Sequence, residues 1–125
     1  MARPDAVRRI KSYSAANGHV YQYCFYEVNR VVYNGAPAGE FIYAISADRK
    51  TNFALRILVE QSALESWARA NGRPLTISEE YAVAKMRLFQ AFDEGVVPVT
   101  AEAAAELSLH VDESNLEPLL QSLNI

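Results

Sequence analysis

Residues 41–60 read FIYAISADRKTNFALRILVE. Phe41, Tyr43 and Ile45 alternate with Ile42, Ala44 and Ser46, and Phe53, Leu55, Ile57 and Val59 alternate with Ala54, Arg56, Leu58 and Glu60. Period-2 alternation belongs to extended chain, whose successive side chains point to opposite faces. Between the runs, Asp48-Arg49-Lys50-Thr51-Asn52 has turn composition, so the stretch predicts an antiparallel hairpin with one strongly apolar face.

Upstream, residues 19–33, HVYQYCFYEVNRVVY, are rich in aromatic and β-branched side chains and lack Gly and Pro, which predicts a long strand. Asn34-Gly35-Ala36-Pro37-Ala38-Gly39 reads as a flexible connection after it. Residues 7–16, VRRIKSYSAA, suit either a strand or a helix closed by Asn17-Gly18. The strand is preferred. A two-residue Asn17-Gly18 turn pairs Ala16 with His19, and that register sets Ile10 opposite Phe25, Arg8 opposite Glu27 and Asp5 opposite Arg30, two matches of opposite charge.

Downstream the period lengthens. Ser62-Ala63-Leu64-Glu65 has the form of a capping box, and Leu64, Trp67 and Ala68 share one face of the short helix that follows, stopped by Asn71-Gly72 and Pro74. Thr76-Ile77-Ser78-Glu79 is a second box, opening a long helix with an apolar stripe of Tyr81, Ala84, Leu88, Phe89 and Phe92 and ending at Gly95. Ala101–Glu106 favours helix by propensity, and Leu107, Leu109 and Val111 alternate like a short strand. Ser114-Asn115-Leu116-Glu117 is a third box, before a helix whose buried side is Leu116, Leu119, Leu120 and Leu123.

These elements predict an α+β fold: an antiparallel sheet of about four strands, made of an N-terminal hairpin and a second hairpin, followed by two to three helices on one face. A short fifth strand near Leu107–Val111 is an optional addition. No repeat or linker divides the chain, so residues 1–125 read as one domain with a flexible start at 1–4.

If Phe53, Leu55, Ile57 and Val59 face the helices with Tyr21, Tyr23 and Phe25, alternation leaves Arg9, Lys11, Tyr13, Gln22, Cys24, Tyr26, Val28, Arg30, Ile42, Ala44, Arg56 and Leu58 on the second face. That mixture is too apolar for a plain solvent face and too charged for a plain core. Arg9, Lys11, Tyr13, Gln22, Tyr26, Arg30, Ile42, Arg56 and Leu58 are the candidate interaction surface. The competing reading is that the chain from Ala101 onward covers this face within the monomer.

A single cysteine among 125 residues excludes an internal disulfide framework and a multi-cysteine zinc site. With no signal-like start and no membrane-length apolar run, the expected location is the cytoplasm. The net charge of −3 conceals an asymmetry: residues 1–87 hold all 12 Lys and Arg against eight acids, a balance of +4, whereas residues 88–125 hold seven acids and no base.

Catalytic patterns are sparse. His110-Val111-Asp112 offers two metal ligands where zinc needs three or four, and Cys24 sits mid-strand between Tyr23 and Phe25, where a cysteine behaves as a small apolar residue. No nucleophile elbow or phosphate-binding loop is present. Glu79-Glu80 suit the positive end of their helix, whereas Asp93-Glu94 lie at the negative end with no account beyond solvation or an external basic partner.

The expectation is a non-enzymatic interaction module without cofactor, forming a homodimer through the second sheet face. The alternatives are single-stranded nucleic-acid binding by a basic, tyrosine-bearing edge of Arg3, Arg8, Arg9 and Lys11, joined by Arg30, with Tyr13 and Tyr26 as stacking planes, and a small-ligand pocket between sheet and helices lined by Tyr21, Tyr23, Tyr43 and Trp67. An acidic pI of about 5.4 weighs against the first alternative.

Overall fold

Residues 9–97 and 100–125 are described by the computed structural model. The strands are β1 (Lys11–Ser14), β2 (Val20–Tyr33), β3 (Ala36–Ser46), β4 (Phe53–Glu60) and β5 (Ser108–Val111). The helices are α1 (Gln61–Asn71), α2 (Ile77–Glu94), α3 (Ala101–Glu106) and α4 (Leu116–Ser122). The strands form one curled sheet in chain order, antiparallel from β1 to β4, with β5 parallel to β4. A parallel neighbour requires a crossover, and α1, α2 and α3 supply it.

The central hairpin follows its alternation. Phe53, Leu55, Ile57 and Val59 are buried, with Phe41, Tyr43 and Ile45 on the same face. Its turn is held by the Asp48 carboxylate, which accepts from the backbone N–H of Lys50 and Thr51 at 2.8 Å each. The helices cover this face: Val83, Ala84, Leu88, Ala91 and Phe92 of α2 join the core with Leu64 and Trp67 of α1 and Leu116, Leu119 and Leu120 of α4. Leu109 and Val111 extend it through β5.

Gly35–Gly39 is not a connection. Asn34 (φ 50°) and Gly35 (φ 78°) make a two-residue turn of the kind that requires positive φ at both positions, and β3 begins at once, so Pro37 pairs with Val32 inside the ladder.

The first hairpin differs from expectation by one residue. Gly18 N–H donates to Ala15 O at 3.0 Å and Ala15 N–H donates to His19 O at 2.8 Å, so the loop holds three residues, Ala16-Asn17-Gly18, with Gly18 at φ 90°. A turn followed by a positive-φ glycine is the usual three-residue hairpin. Ladder pairs are therefore Lys11 with Tyr23 and Tyr13 with Tyr21, and the expected Ile10–Phe25 pairing is replaced. The Arg8–Glu27 and Asp5–Arg30 matches involve residues outside those described.

Only the second capping box forms. Thr76 Oγ1 accepts from Glu79 N–H at 3.1 Å and Glu79 accepts from Thr76 N–H at 2.8 Å. Arg73 grips Glu79 with both guanidinium nitrogens at 2.8 and 3.0 Å, and this bond with the Thr76 N–H holds the Glu79 carboxyl down to about 2. At α1, β4 pairs through Glu60 and helix begins at Gln61, which leaves Ser62 inside the first turn where it cannot cap. Before α4, Asn115 instead accepts from Asp112 N–H and donates to His110 O, both at 2.8 Å.

Candidate functional site

Because side chains alternate, the one-residue change in the first hairpin moves Lys11 and Tyr13 to the helix-covered face. Tyr13 stacks on Phe89 with ring centroids 4.3 Å apart, and its hydroxyl donates to Asp93 Oδ2 at 2.7 Å. Asp93 Oδ1 accepts the Ala16 N–H at 2.9 Å. The carboxylate at the wrong end of the α2 dipole thus has an internal role: it pins the first hairpin onto the helix. Its negative charge in turn raises the Tyr13 phenol, first through the hydrogen bond.

A second inversion occurs inside β2. Phe25 pairs with Tyr43 but Glu27 with Ile42, leaving Tyr26 as the extra residue of a β-bulge. Beyond it, Val28 pairs with Phe41 and packs against the core, while Arg30 pairs with Gly39 and lies within electrostatic reach of Glu80 on α2. Neither is on the second face.

Of the candidate surface, Gln22, Tyr26, Ile42, Arg56 and Leu58 remain on that face, joined by Cys24 and Ala44. A polar row divides it. Asn29 Nδ2 donates to Glu40 Oε1 at 3.4 Å, Arg56 pairs with Glu40 at 3.3 Å, and Arg56 donates to Ser108 Oγ at 3.0 Å. Beyond the row the face is closed from within. Tyr33 of β2 and His110 of β5 approach with ring centroids 5.2 Å apart, and on the strands between them Leu58 is only 1% exposed and Ala38 3%. Leu58 is thus removed from the interaction surface; covering residues come from both β2 and β5, so the expected coverage from the C-terminal segment is partial.

The other half is open. Ile10, 70% exposed, lies with Gln22, Cys24, Tyr26, Ala44 and Asn52 around a hollow of about 330 Å³. On the far side of Tyr26, Ile42, Ala44, Phe53 and Ala54 line a second hollow of about 380 Å³. Glu27 and Arg56 flank Ile42 on the neighbouring strands.

The helix-covered side has a separate opening at the end of β1. Arg9 and Lys11 meet Lys85 of α2 in a cleft of about 590 Å³ walled by Tyr23, Phe25 and Tyr81. Lys85 was not foreseen. Its signal was its spacing, one turn beyond Tyr81 and two beyond Ile77 on the edge of the α2 stripe. Tyr21, Tyr23, Tyr43 and Trp67, the expected pocket lining, are mainly core: all four are buried, although Tyr23 and Tyr43 also border this cleft.

Cys24 pairs with Ala44 and Ala44 with Ala54, whereas His110 pairs with Leu58, so thiol and imidazole stand at opposite ends of the sheet. Among the described residues no group of three or more His, Cys, Asp or Glu converges as a metal site. No described helix is long and apolar enough to cross a membrane. Comparison with known proteins assigns no family: no protein-family model, curated protein or solved structure matches the chain.

Proposed function

We propose that this chain is a non-enzymatic interaction module that pairs with a second copy of itself through the open half of the second sheet face. The observation that carries this reading is the self-complementarity of that patch. Ile10, Cys24, Tyr26 and Ala44 form an uncharged centre, Tyr26 separates two hollows, and Glu27 and Arg56 stand on opposite sides of Ile42. A two-fold axis running along the strands through Ile42 sets Glu27 of one copy over Arg56 of the other and Tyr26 beside a hollow. A closed two-fold interface requires this kind of match of a patch with itself.

Light scattering after size exclusion, at about 50 μM protein to capture modest affinities, tests it. The expected result is a dimer that Ala44→Asp converts to a folded monomer by burying an unpaired charge at the centre of the patch. A wild-type monomer at that concentration, or a dimer indifferent to Ala44→Asp, overturns the reading. Of the residues of the nucleic-acid alternative, Tyr13 is stacked on α2 and Arg30 is separated from Tyr26 by the bulge, which leaves Arg9 and Lys11 together at one opening.

A further inference from the structure

We propose that the cleft between β2 and α2 binds a small anion carrying a planar ring, with Lys11 and Lys85 holding the anionic group and Tyr23, Phe25 and Tyr81 contacting the ring. The cleft opens on the helix-covered side of the sheet and meets the self-association patch at the β2 edge, where Tyr23 and Cys24 border both; the two proposals rest on different residues.

Charge is the first argument. Arg56, Arg73 and Arg87 each pair with a glutamate. Arg9, Lys11 and Lys85 instead converge on one opening with no Asp or Glu in its lining. Among the described residues neither Lys11 nor Lys85 has a carboxylate partner, and Lys85 is half-buried, with its ammonium 5.8 Å from the centroids of both Tyr23 and Phe89. Ring faces offset only part of the cost of drawing a charge out of water, and like charges brought together add to it. Burial and the facing Lys11 accordingly push Lys85 below the ordinary lysine range. An anion between the two ammonium groups relieves both effects.

Shape is the second. A volume of about 590 Å³ is in the range of small-molecule sites and too large for a bare inorganic ion. The wall is packed: Phe25 makes edge-to-face contacts with Tyr81 at 5.0 Å and with Tyr43 at 5.6 Å. Aromatic surface beside clustered cations suits one ligand that has a ring and a charge. The β1 ladder ends at the Lys11–Tyr23 pair, so the cleft opens beside the β2 edge at Cys24 and Phe25.

A phosphate and a carboxylate satisfy the same cations, so calorimetric titration of the full chain uses adenosine monophosphate in one arm and 2-naphthoate in the other, with adenosine and inorganic phosphate as controls. The expected result is saturable binding of at least one ring-bearing anion with Kd below about 1 mM, at least about tenfold tighter than either control. Lys85→Gln weakens it about tenfold or more, Lys11→Gln weakens it too, and Lys85→Arg retains it. Lys11 is an exposed β1 side chain, so its variant reads the site even where Lys85→Gln disturbs folding, and unchanged unfolding midpoints separate lost binding from lost structure. Each of these results overturns the proposal: no binding of either ring-bearing anion, binding unaffected by both lysine variants, or inorganic phosphate binding as tightly as the ring-bearing anions. Affinity confined to single-stranded oligonucleotides and rising with their length also overturns it, in favour of a strand-binding surface.

Discussion

Replacing Tyr13 by Phe and Asp93 by Asn, singly and together, reads the register of the first hairpin in solution. Tyr13→Phe keeps the ring stacked on Phe89 at 4.3 Å and beside Phe92 at 5.6 Å, so its effect isolates the hydroxyl bond to Asp93 at 2.7 Å. Hydrogen bonds to a charged group contribute about 1.5–3 kcal/mol when shielded, and this pair is exposed, which reduces the expectation to about 1 kcal/mol. Asp93→Asn weakens that bond and the one from Ala16 N–H, but it also removes a negative charge from a helix C-terminus, which returns about 0.3–1 kcal/mol. Each single variant is expected to cost about 1 kcal/mol. The double variant falls short of the sum by a similar amount, because the Tyr13–Asp93 bond can be lost only once. In urea, with a slope of about 1–3 kcal/mol per molar, each single variant lowers the midpoint by roughly 0.5 M. A second readout is phenolate titration: in Asp93→Asn the raised Tyr13 value returns toward the ordinary tyrosine range. Additive single effects, with coupling below about 0.3 kcal/mol, refute the docking. They match the alternative register, in which Tyr13 points to the other face.

Leu58→Ala is expected to destabilise by about 2–5 kcal/mol in chemical denaturation although Leu58 is outside the main core, since its side of the sheet is closed by Tyr33 and His110; a cost under about 1 kcal/mol means that half of the face is open. Burial raises the Tyr43 phenol and Asp93 raises that of Tyr13, so their contribution to stability is complete below the ordinary tyrosine value of 10.0 and is lost as pH climbs through the folded-state values; denaturation across alkaline pH shows this, and phenols that all titrate at the ordinary value with no loss of stability contradict it. Glu79 has the opposite sign: held down to about 2 from 4.5, it contributes stability above pH 4.5 that disappears as pH falls toward 2, and Glu79→Gln should flatten that acid slope. Thr76→Ala, which removes the other half of the same box, should cost about 1 kcal/mol at neutral pH by urea titration, and an unaffected midpoint discounts the cap.

Most of the elements were legible in the sequence, except that residues 7–16 suited strand or helix, the fifth strand was optional, and Ala36–Gly39, read as a connection, is the start of β3. Period-2 alternation in residues 41–60, the apolar stripe of α2, the Thr76 box and the stop at Gly95 are local signals, each set by backbone geometry over a few residues. The candidate surface was legible only in part. Gln22, Tyr26 and Ile42 stand where alternation put them, whereas Lys11, Tyr13 and Arg30 are on the other side and Leu58 is buried. Lys85 gave only a spacing hint, because the cleft it enters is made by a strand more than sixty positions away in the chain.

What the sequence by itself determined is the central hairpin with its apolar face, the long run of β2 and the extent of α2, since short-range sterics and side-chain period suffice for these. Only the tertiary structure decided which way β1 and the second half of β2 face. The loop at Asn17-Gly18 has three residues where two were equally compatible with its composition, and Tyr26 is bulged out of a run with nothing local to mark it. With a period of two, one extra residue in either place exchanges the faces of everything beyond it, and the choice is made by what the side chains meet on the opposite layer: Phe89 and Asp93 for Tyr13, the core for Val28.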